Sequence, residues 1–189
     1  MPEHKHDLLV IGAGPAGYVA AIRAAQLGLD TAIVDKEKRL GGTCLRVGCI
    51  PSKALLESSH KYEDATKHFA SHGIEVPSVG LNLQAMLKRK EKVVAALTIG
   101  VAGLMKKNKV KVYHGTASFK SDKSVTIGGD TVNATNVLIA TGSVPVSIPG
   151  VNLDDDLVDT STDALSYDQV PEHLAVICLL YTSPSPRDS

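Results

Sequence analysis

The sequence predicts an α/β fold: a parallel sheet flanked by helices, with an added antiparallel β-meander. Three observations carry that reading. A short apolar run, a glycine-rich turn, an alanine-rich helical stretch and a second apolar run follow one another within about 30 residues, the pattern of a right-handed β-α-β unit. Further on, strand-like runs flank Gly128-Gly129-Asp130, a hairpin signal. The 189 residues are 43% hydrophobic and 21% charged, which suits a globular chain and not a disordered one.

Each element follows from local pattern. Asp7–Ile11 is a continuous apolar run bounded by glycine and reads as a buried strand. Pro15–Leu27 reads as a helix that Gly28 ends at the C′ position. Thr31–Val34 is a second strand, closed by Asp35. Residues 41–51 hold three glycines and both members of a close cysteine pair, and are expected to form a loop or distorted turn. Helical pattern runs from Ser52 to about Ser71. A longer helix is expected over Leu83–Lys107, where apolar residues recur at three- and four-residue spacing apart from a skipped turn at Lys90. The basic residues Lys88, Arg89, Lys90 and Lys92 read as a solvated face. Val110–Phe119 reads as one strand, Lys123–Ile127 and Thr131–Asn133 as a hairpin, and Asn136–Ala140 as another buried strand. Residues 149–172 read as a connector, and 173–177 as the start of a further strand.

Charge and length exclude some functions. Lys+Arg and Asp+Glu both number 20, so the net charge is zero. Nucleic-acid binders and polybasic membrane-surface proteins need clustered positive charge, so neither partner is expected. No run approaches the roughly 20 apolar residues that cross a bilayer. The first residues resemble neither a signal peptide nor an Arg-rich transit sequence, so a cytoplasmic location is expected.

The first motif is Gly12-x-Gly14-x-x-Gly17, placed after a strand and at the start of a helix. Gly12 suits a tight turn, Gly14 lets backbone approach a pyrophosphate, and Gly17 lets the helix lie close to the strand. The anion then sits at the helix N-terminus, where free N–H groups and the helix dipole favour it. Asp35 lies 18 residues after Gly17, where its carboxylate is placed to accept hydrogen bonds from ribose hydroxyls. An acid there disfavours a ribose 2′-phosphate, so an FAD- or NAD-type adenosine is expected. The combination defines a Rossmann-like dinucleotide cradle.

The second motif is Cys44-Leu-Arg-Val-Gly-Cys49. Five residues of regular helix rise about 7.5 Å, beyond the roughly 7 Å limit for disulfide-bonded Cα atoms. Gly48 and Pro51 permit the distortion that would bring the thiols together. A helix N-terminus and the Lys53 ammonium would lower a thiol pKa. A metal site is disfavoured, because zinc ligand pairs sit two to four residues apart and need two more ligands. His68 and His72, at i and i+4, are expected to face solvent. A pair of buried free thiols is the remaining alternative.

The run Gly41-Gly42-Thr43-Cys44-Leu45-Arg46-Val47-Gly48-Cys49-Ile50-Pro51-Ser52-Lys53 closely resembles the redox-active signature of the flavoprotein disulfide reductases. The resemblance extends from about Lys5 to Ile177, and Ala140-Thr141-Gly142-Ser143-x-Pro145 is similar to that family's second FAD-contact segment. It implies that Gly12, Gly14 and Gly17 cradle the FAD pyrophosphate and that Asp35 binds the adenosine ribose. Gly115 would give a backbone contact near the adenine, and Thr141, Gly142 and Ser143 would contact the cofactor. Cys49 would face the flavin, Cys44 would exchange with substrate, and Lys53 would offset negative charge on the flavin ring. No metal is implied.

Within the family, the resemblance is to members that pass electrons from dihydrolipoamide, on a lipoyl domain of a 2-oxoacid dehydrogenase complex, through the disulfide and FAD to NAD⁺. A homodimer is implied for the full-length protein. Glutathione-type and mercuric reductases are the near alternatives. A non-catalytic FAD-binding fragment and a small standalone thiol carrier are the others. Two departures stand out. Arg46 replaces the Asn more common in the signature, and Cys178-Leu-Leu stands where the family has a second glycine-rich loop. The expected division is an FAD-binding segment over 1–148 and a connector with the first strand of a truncated NAD-binding domain over 149–177. Residues 178–189 form an atypical tail, read as an artefact or a frame error. No residue matches the family's His/Glu acid-base pair, and surfaces that would contact further domains are expected to be exposed.

Overall fold

The computed structural model describes residues 3–146, 149–153 and 157–177. The expected tail from Cys178 lies outside them. The two β-branched runs near the N-terminus form β1 (Glu3–Ile11) and β2 (Thr31–Asp35), joined by α1 (Pro15–Gln26). Pro15 occupies the first helical turn, where its missing N–H costs nothing, and the chain leaves the helix through Leu27 and Gly28. β1 is longer than its apolar core because Glu3–His6 continue the ladder against the far half of the last strand.

Residues 41–51 are not a loop. They form α2 (Gly42–Val47) and the start of α3 (Cys49–Glu63), separated only at Gly48. Glycines and cysteines have low helix propensity, but tertiary contacts of Leu45 and Pro51 override it. The segment after α3 first widens into a π turn at Asp64–His68 and then tightens into a 3₁₀ turn at Phe69–His72. His68 and His72 are exposed there, as expected. α4 spans Leu83–Lys107, as its spacing predicts, and Asn82 caps it by accepting the Ala85 N–H at 2.9 Å.

The basic stretch of α4 requires a correction. Lys90 is buried, 4% exposed, and is not part of a solvated face. Its Nζ donates to the Leu165 carbonyl at 2.8 Å and pairs with Glu91 at 2.9 Å. Arg89 is half-exposed, yet it pairs with Glu57 and donates to the Ala54 carbonyl, tying α4 to α3. Together these bonds fasten α4 to both α3 and a 3₁₀ turn at Asp163–Ser166.

The remaining strands are β3 (Lys111–His114), β4 (Ala117–Ser121), β5 (Ser124–Ile127) and β6 (Asp130–Ile139). The run expected as one strand over 110–119 is broken at Gly115 into β3 and β4. The runs expected as separate strands over 131–140 are one long β6. The sheet order is β3-β2-β1-β6-β5-β4. β3, β2, β1 and β6 are mutually parallel, and β6-β5-β4 is the antiparallel meander, turning at Gly128-Gly129. This is the expected Rossmann-like α/β arrangement. Residues 173–177, expected to start a strand, pair with no strand among the described residues, and Leu174, Val176 and Ile177 are exposed. A strand exists only through a ladder to a neighbour.

Alternation along the central strands produces two cores. Val10 and Ile33 face α1, α2 and α4 with Ala21, Leu45, Val101 and Met105. Leu9, Ala32 and Val34 face the other way and pack with Val125, Ile127, Val132 and Ala134 of the meander. Truncating Leu9, which is fully buried, to Ala is expected to cost about 2–5 kcal/mol, read as a lowered urea midpoint. The control Val19→Ala, on an exposed face of α1, is expected to shift stability by no more than about 0.5 kcal/mol.

Candidate functional site

Parallel strands deliver their carboxyl ends to one edge of the sheet. Gly12 follows β1, Asp35 ends β2, Gly115 follows β3 and Thr141 follows β6. These four sequence-predicted residues line one cavity of about 220 Å³, together with Lys36, Thr116 and apolar neighbours. Gly142 and Ser143 lie just beyond, on exposed chain, and are not among its lining residues.

The cradle is built from backbone. A Cβ on Gly17 would fall 1.8 Å from the Gly12 carbonyl oxygen, and one on Gly12 would fall 2.3 Å from that of Ala140. Only glycine lets α1 lie this close to β1. Gly14 differs: a Cβ there would meet nothing nearer than 3.8 Å, so its outer side is open. Gly14 caps α1 without a side chain, and no acidic residue occupies the first turn. The N-terminal N–H groups therefore lack a side-chain partner, which is the arrangement that receives a phosphate. An open glycine, an uncapped helix terminus and an adjacent cavity with a carboxylate fit a dinucleotide's pyrophosphate and adenosine.

Asp35 has a second task. Its Oδ2 accepts the Ala13 N–H at 2.7 Å and its Oδ1 accepts the Glu37 N–H at 2.9 Å. The carboxylate thus fixes the glycine loop to the end of β2, and each oxygen keeps further acceptor capacity.

The thiols stand on the second pair of helices. α2 carries Cys44, and Cys49 begins α3 directly after the break at Gly48. A Cβ on Gly48 would crowd the Thr43 carbonyl at 3.0 Å, so the break is closely packed. Both cysteines are free thiols in this structure; Cys44 is half-buried and Cys49 exposed. The two thiols lie near enough for Cys49 to act on the ionisation of Cys44. The expected lowering of thiol pKa does not hold for Cys44. The hydrogen bond with Cys49 raises it most, burial and the charge of Cys49 raise it further, and Lys53 offsets only part. Lys53 is exposed, one turn beyond Cys49 on α3.

Sequence reasoning assigned no role to Gly41 and Gly42 beyond the signature, yet they join the two motifs. The Gly41 N–H donates to the Ala13 carbonyl at 2.9 Å. Gly42 has φ +63°, and a Cβ there would lie 2.4 Å from the Gly14 Cα. The signal was the adjacent glycine pair itself. Among the described residues no group of three or more His, Cys, Asp and Glu side chains is placed to hold a metal, and no helix is long and apolar enough to cross a membrane.

A dinucleotide-type cradle in contact with a dithiol helix is an arrangement suited to redox chemistry between thiols and a nucleotide cofactor. Residues 6–177 match the pyridine nucleotide-disulphide oxidoreductase family, and the chain belongs to it. It is 50% identical over 178 residues to dihydrolipoyl dehydrogenase 1, mitochondrial, of Arabidopsis thaliana, covering 92% of this chain and 35% of that one. It is 51% identical over 177 residues to the mitochondrial dihydrolipoyl dehydrogenase of Rattus norvegicus, covering 90% and 35%. It is also 49% identical over 178 residues to leghemoglobin reductase of Vigna unguiculata, covering 92% and 34%. The chain thus spans about a third of the length of these relatives.

The expected cytoplasmic location is overturned by these comparisons, because the Arabidopsis and rat relatives are named as mitochondrial. Targeting leaders are removed from mature chains, so the first residues are no guide to compartment.

Two outcomes test the site. Gly42→Ala places a Cβ against Gly14 at a positive φ, and is expected to lower stability by about 1–3 kcal/mol and to weaken dinucleotide binding in a titration. Lys53→Gln removes the one cation that lowers the Cys44 pKa. Alkylation of Cys44 by iodoacetamide at a fixed, mildly alkaline pH is then expected to slow, because less thiolate is present.

Proposed function

We propose that this chain is the FAD-binding, disulfide-bearing portion of a dihydrolipoyl dehydrogenase. The observation that carries the proposal is the direct contact between cradle and dithiol helix at Gly14 and Gly42. That contact supports a reading in which the thiol pair stands beside the cofactor site. The identities of about 50% to relatives named dihydrolipoyl dehydrogenase support the substrate class.

In this reading Gly12, Gly14 and Gly17 hold the pyrophosphate of FAD through backbone N–H groups. Asp35, Gly115 and Thr141 hold its adenosine end, and Gly142 and Ser143 follow on the same segment. The thiol step belongs to Cys44 and Cys49 in their disulfide form. One sulfur of dihydrolipoamide bonds to the Cys44 Sγ while the Cys44–Cys49 bond breaks, and Cys49 leaves with the electron pair. The second substrate sulfur displaces Cys44 and closes the lipoamide disulfide. The substrate has lost two electrons and two protons; the cysteine pair has gained both electrons, with one proton kept on Cys44 and one released. The raised pKa of Cys44 suits it to keep that proton. Lys53 lies close enough to Cys44 for its charge to act on that thiol, and in this reading it would offset negative charge on the flavin ring. FAD, when bound, supplies the two-electron carrier between this thiol step and NAD⁺.

The NAD⁺ site, the acid-base pair and the dimer interface belong in this reading to the full-length protein. Residues 1–148 are its FAD-binding segment and 149–177 its connector toward the next domain. The physiological partner is a lipoyl domain of a 2-oxoacid dehydrogenase complex.

Addition of FAD to the chain is expected to give a yellow complex with a long-wavelength absorbance band on partial reduction. Cys49→Ser is expected to abolish that band while leaving the yellow colour. A protein that stays colourless but holds a reducible disulfide would instead be a thiol carrier. In a full-length version, turnover with dihydrolipoamide is expected; activity confined to oxidised glutathione or mercuric ion would overturn the substrate assignment.

A further inference from the structure

A second cavity, of about 250 Å³, shares no lining residue with the dinucleotide site. It opens between α2, α4 and the 3₁₀ turn at Asp163–Ser166. Its polar lining is Arg39, Arg46, Lys90, Glu91, Thr162 and Ser166, and the rest of the wall is apolar. Three cations therefore face one carboxylate.

The cations differ in how far they are already engaged. The Lys90 ammonium bonds the Leu165 carbonyl and Glu91, and lies 3.5 Å from the Ser166 hydroxyl, so it contributes charge and no spare donor. Arg46 pairs through Nη1 with Glu37 at 3.1 Å, outside the cavity lining, and only 23% of its side chain is exposed. Its Nε is buried with no hydrogen-bond partner. Arg39 is exposed and forms no ion pair among the described residues. Two guanidiniums with free donors, beside the Thr162 and Ser166 hydroxyls, match a tetrahedral oxyanion better than a carbon-rich ligand.

We propose that this cavity is a binding site for a small inorganic oxyanion of the phosphate class, held chiefly by Arg46 and Arg39. The site depends on Arg46, which stands where the family signature more commonly has Asn, so it is a feature of this chain and of any relative that shares the arginine.

The test is calorimetric titration of the whole chain with inorganic phosphate at constant ionic strength. Saturable binding is expected. Arg46→Asn is expected to weaken it about ten- to hundredfold, the size of one charge-assisted hydrogen bond. Arg39→Ser, at an exposed position that leaves the core intact, is expected to weaken it by a smaller factor. Circular dichroism confirms that each variant is folded. Phosphate could also settle in the glycine cradle, and the double variant separates the two. Binding that survives unchanged in Arg39→Ser/Arg46→Asn, or no saturable binding to the wild type, would overturn the proposal. FAD uptake is measured separately on the wild-type chain, whose Arg46 also pairs with Glu37 beside the cradle; its failure there would speak to the cofactor assignment and leave the phosphate result standing.

Discussion

The contact of α1 with β1 at Gly12 and Gly17 sets the geometry of everything near the site. Where the Gly17 Cα passes the Gly12 carbonyl there is no space for a single methyl group. That proximity aims the first turn of α1 along the sheet edge, with its N–H groups toward the carboxyl ends of β1, β2 and β6. The sheet order completes the arrangement. β1 lies between β2 and β6, so the chain leaves it at a point where the connections diverge to either side. A crevice forms at such a point in open parallel sheets. Gly115 and Thr141 reach the same crevice because β3 and β6 run parallel to their neighbours.

From that crevice a short hydrogen-bonded chain leads to the thiols. Asp35 holds Ala13 and Glu37, Glu37 pairs with Arg46 of α2, and Ala13 accepts from Gly41 at the head of α2. The cradle and the dithiol helix are thus fastened at two points. Each bond is modest alone, on the order of 1 kcal/mol. Together they oppose rotation of α2 about its own axis, and that rotation would carry Cys44 away from Cys49. A carboxylate expected to serve only a ligand also positions the loop that receives it.

The periodic elements were legible in the sequence. α1, β2 and α4 fall where spacing and caps place them, because their patterns were long or sharply bounded. The cradle glycines, Asp35 and the cysteine pair were legible for a different reason: their chemistry demands particular residues at fixed spacing. What escaped was tertiary. Nothing local shows that glycine-rich residues 41–51 are helical, since burial of Leu45 and Pro51 decides it. The burial of Lys90 was equally hidden, because its partner is a carbonyl 75 residues away. A lysine among other basic residues reads as solvated until such an acceptor is known. Gly115 lines the cavity at the strand ends, yet the strand around it was drawn through without a break.

The break at Gly48 explains how a five-residue spacing serves thiol chemistry. In an unbroken helix, residues five apart are too distant along the axis for a disulfide. Ending α2 at Val47 and starting α3 at Cys49 lets the axis change direction between the two sulfurs, and the thiols stay close enough for Cys49 to act on Cys44. The same break makes Cys49 the first residue of a new helix, while Cys44 stays in the body of the old one and half-buried. The two thiols therefore meet different surroundings although they are close neighbours. Burial and the neighbouring sulfur hold the proton on Cys44, and Cys49 faces outward, one turn from the Lys53 ammonium. Two neighbouring thiols in such unequal surroundings suit a directional exchange. The glycine at 48 creates that inequality by position alone, without any change in the chemistry of either cysteine.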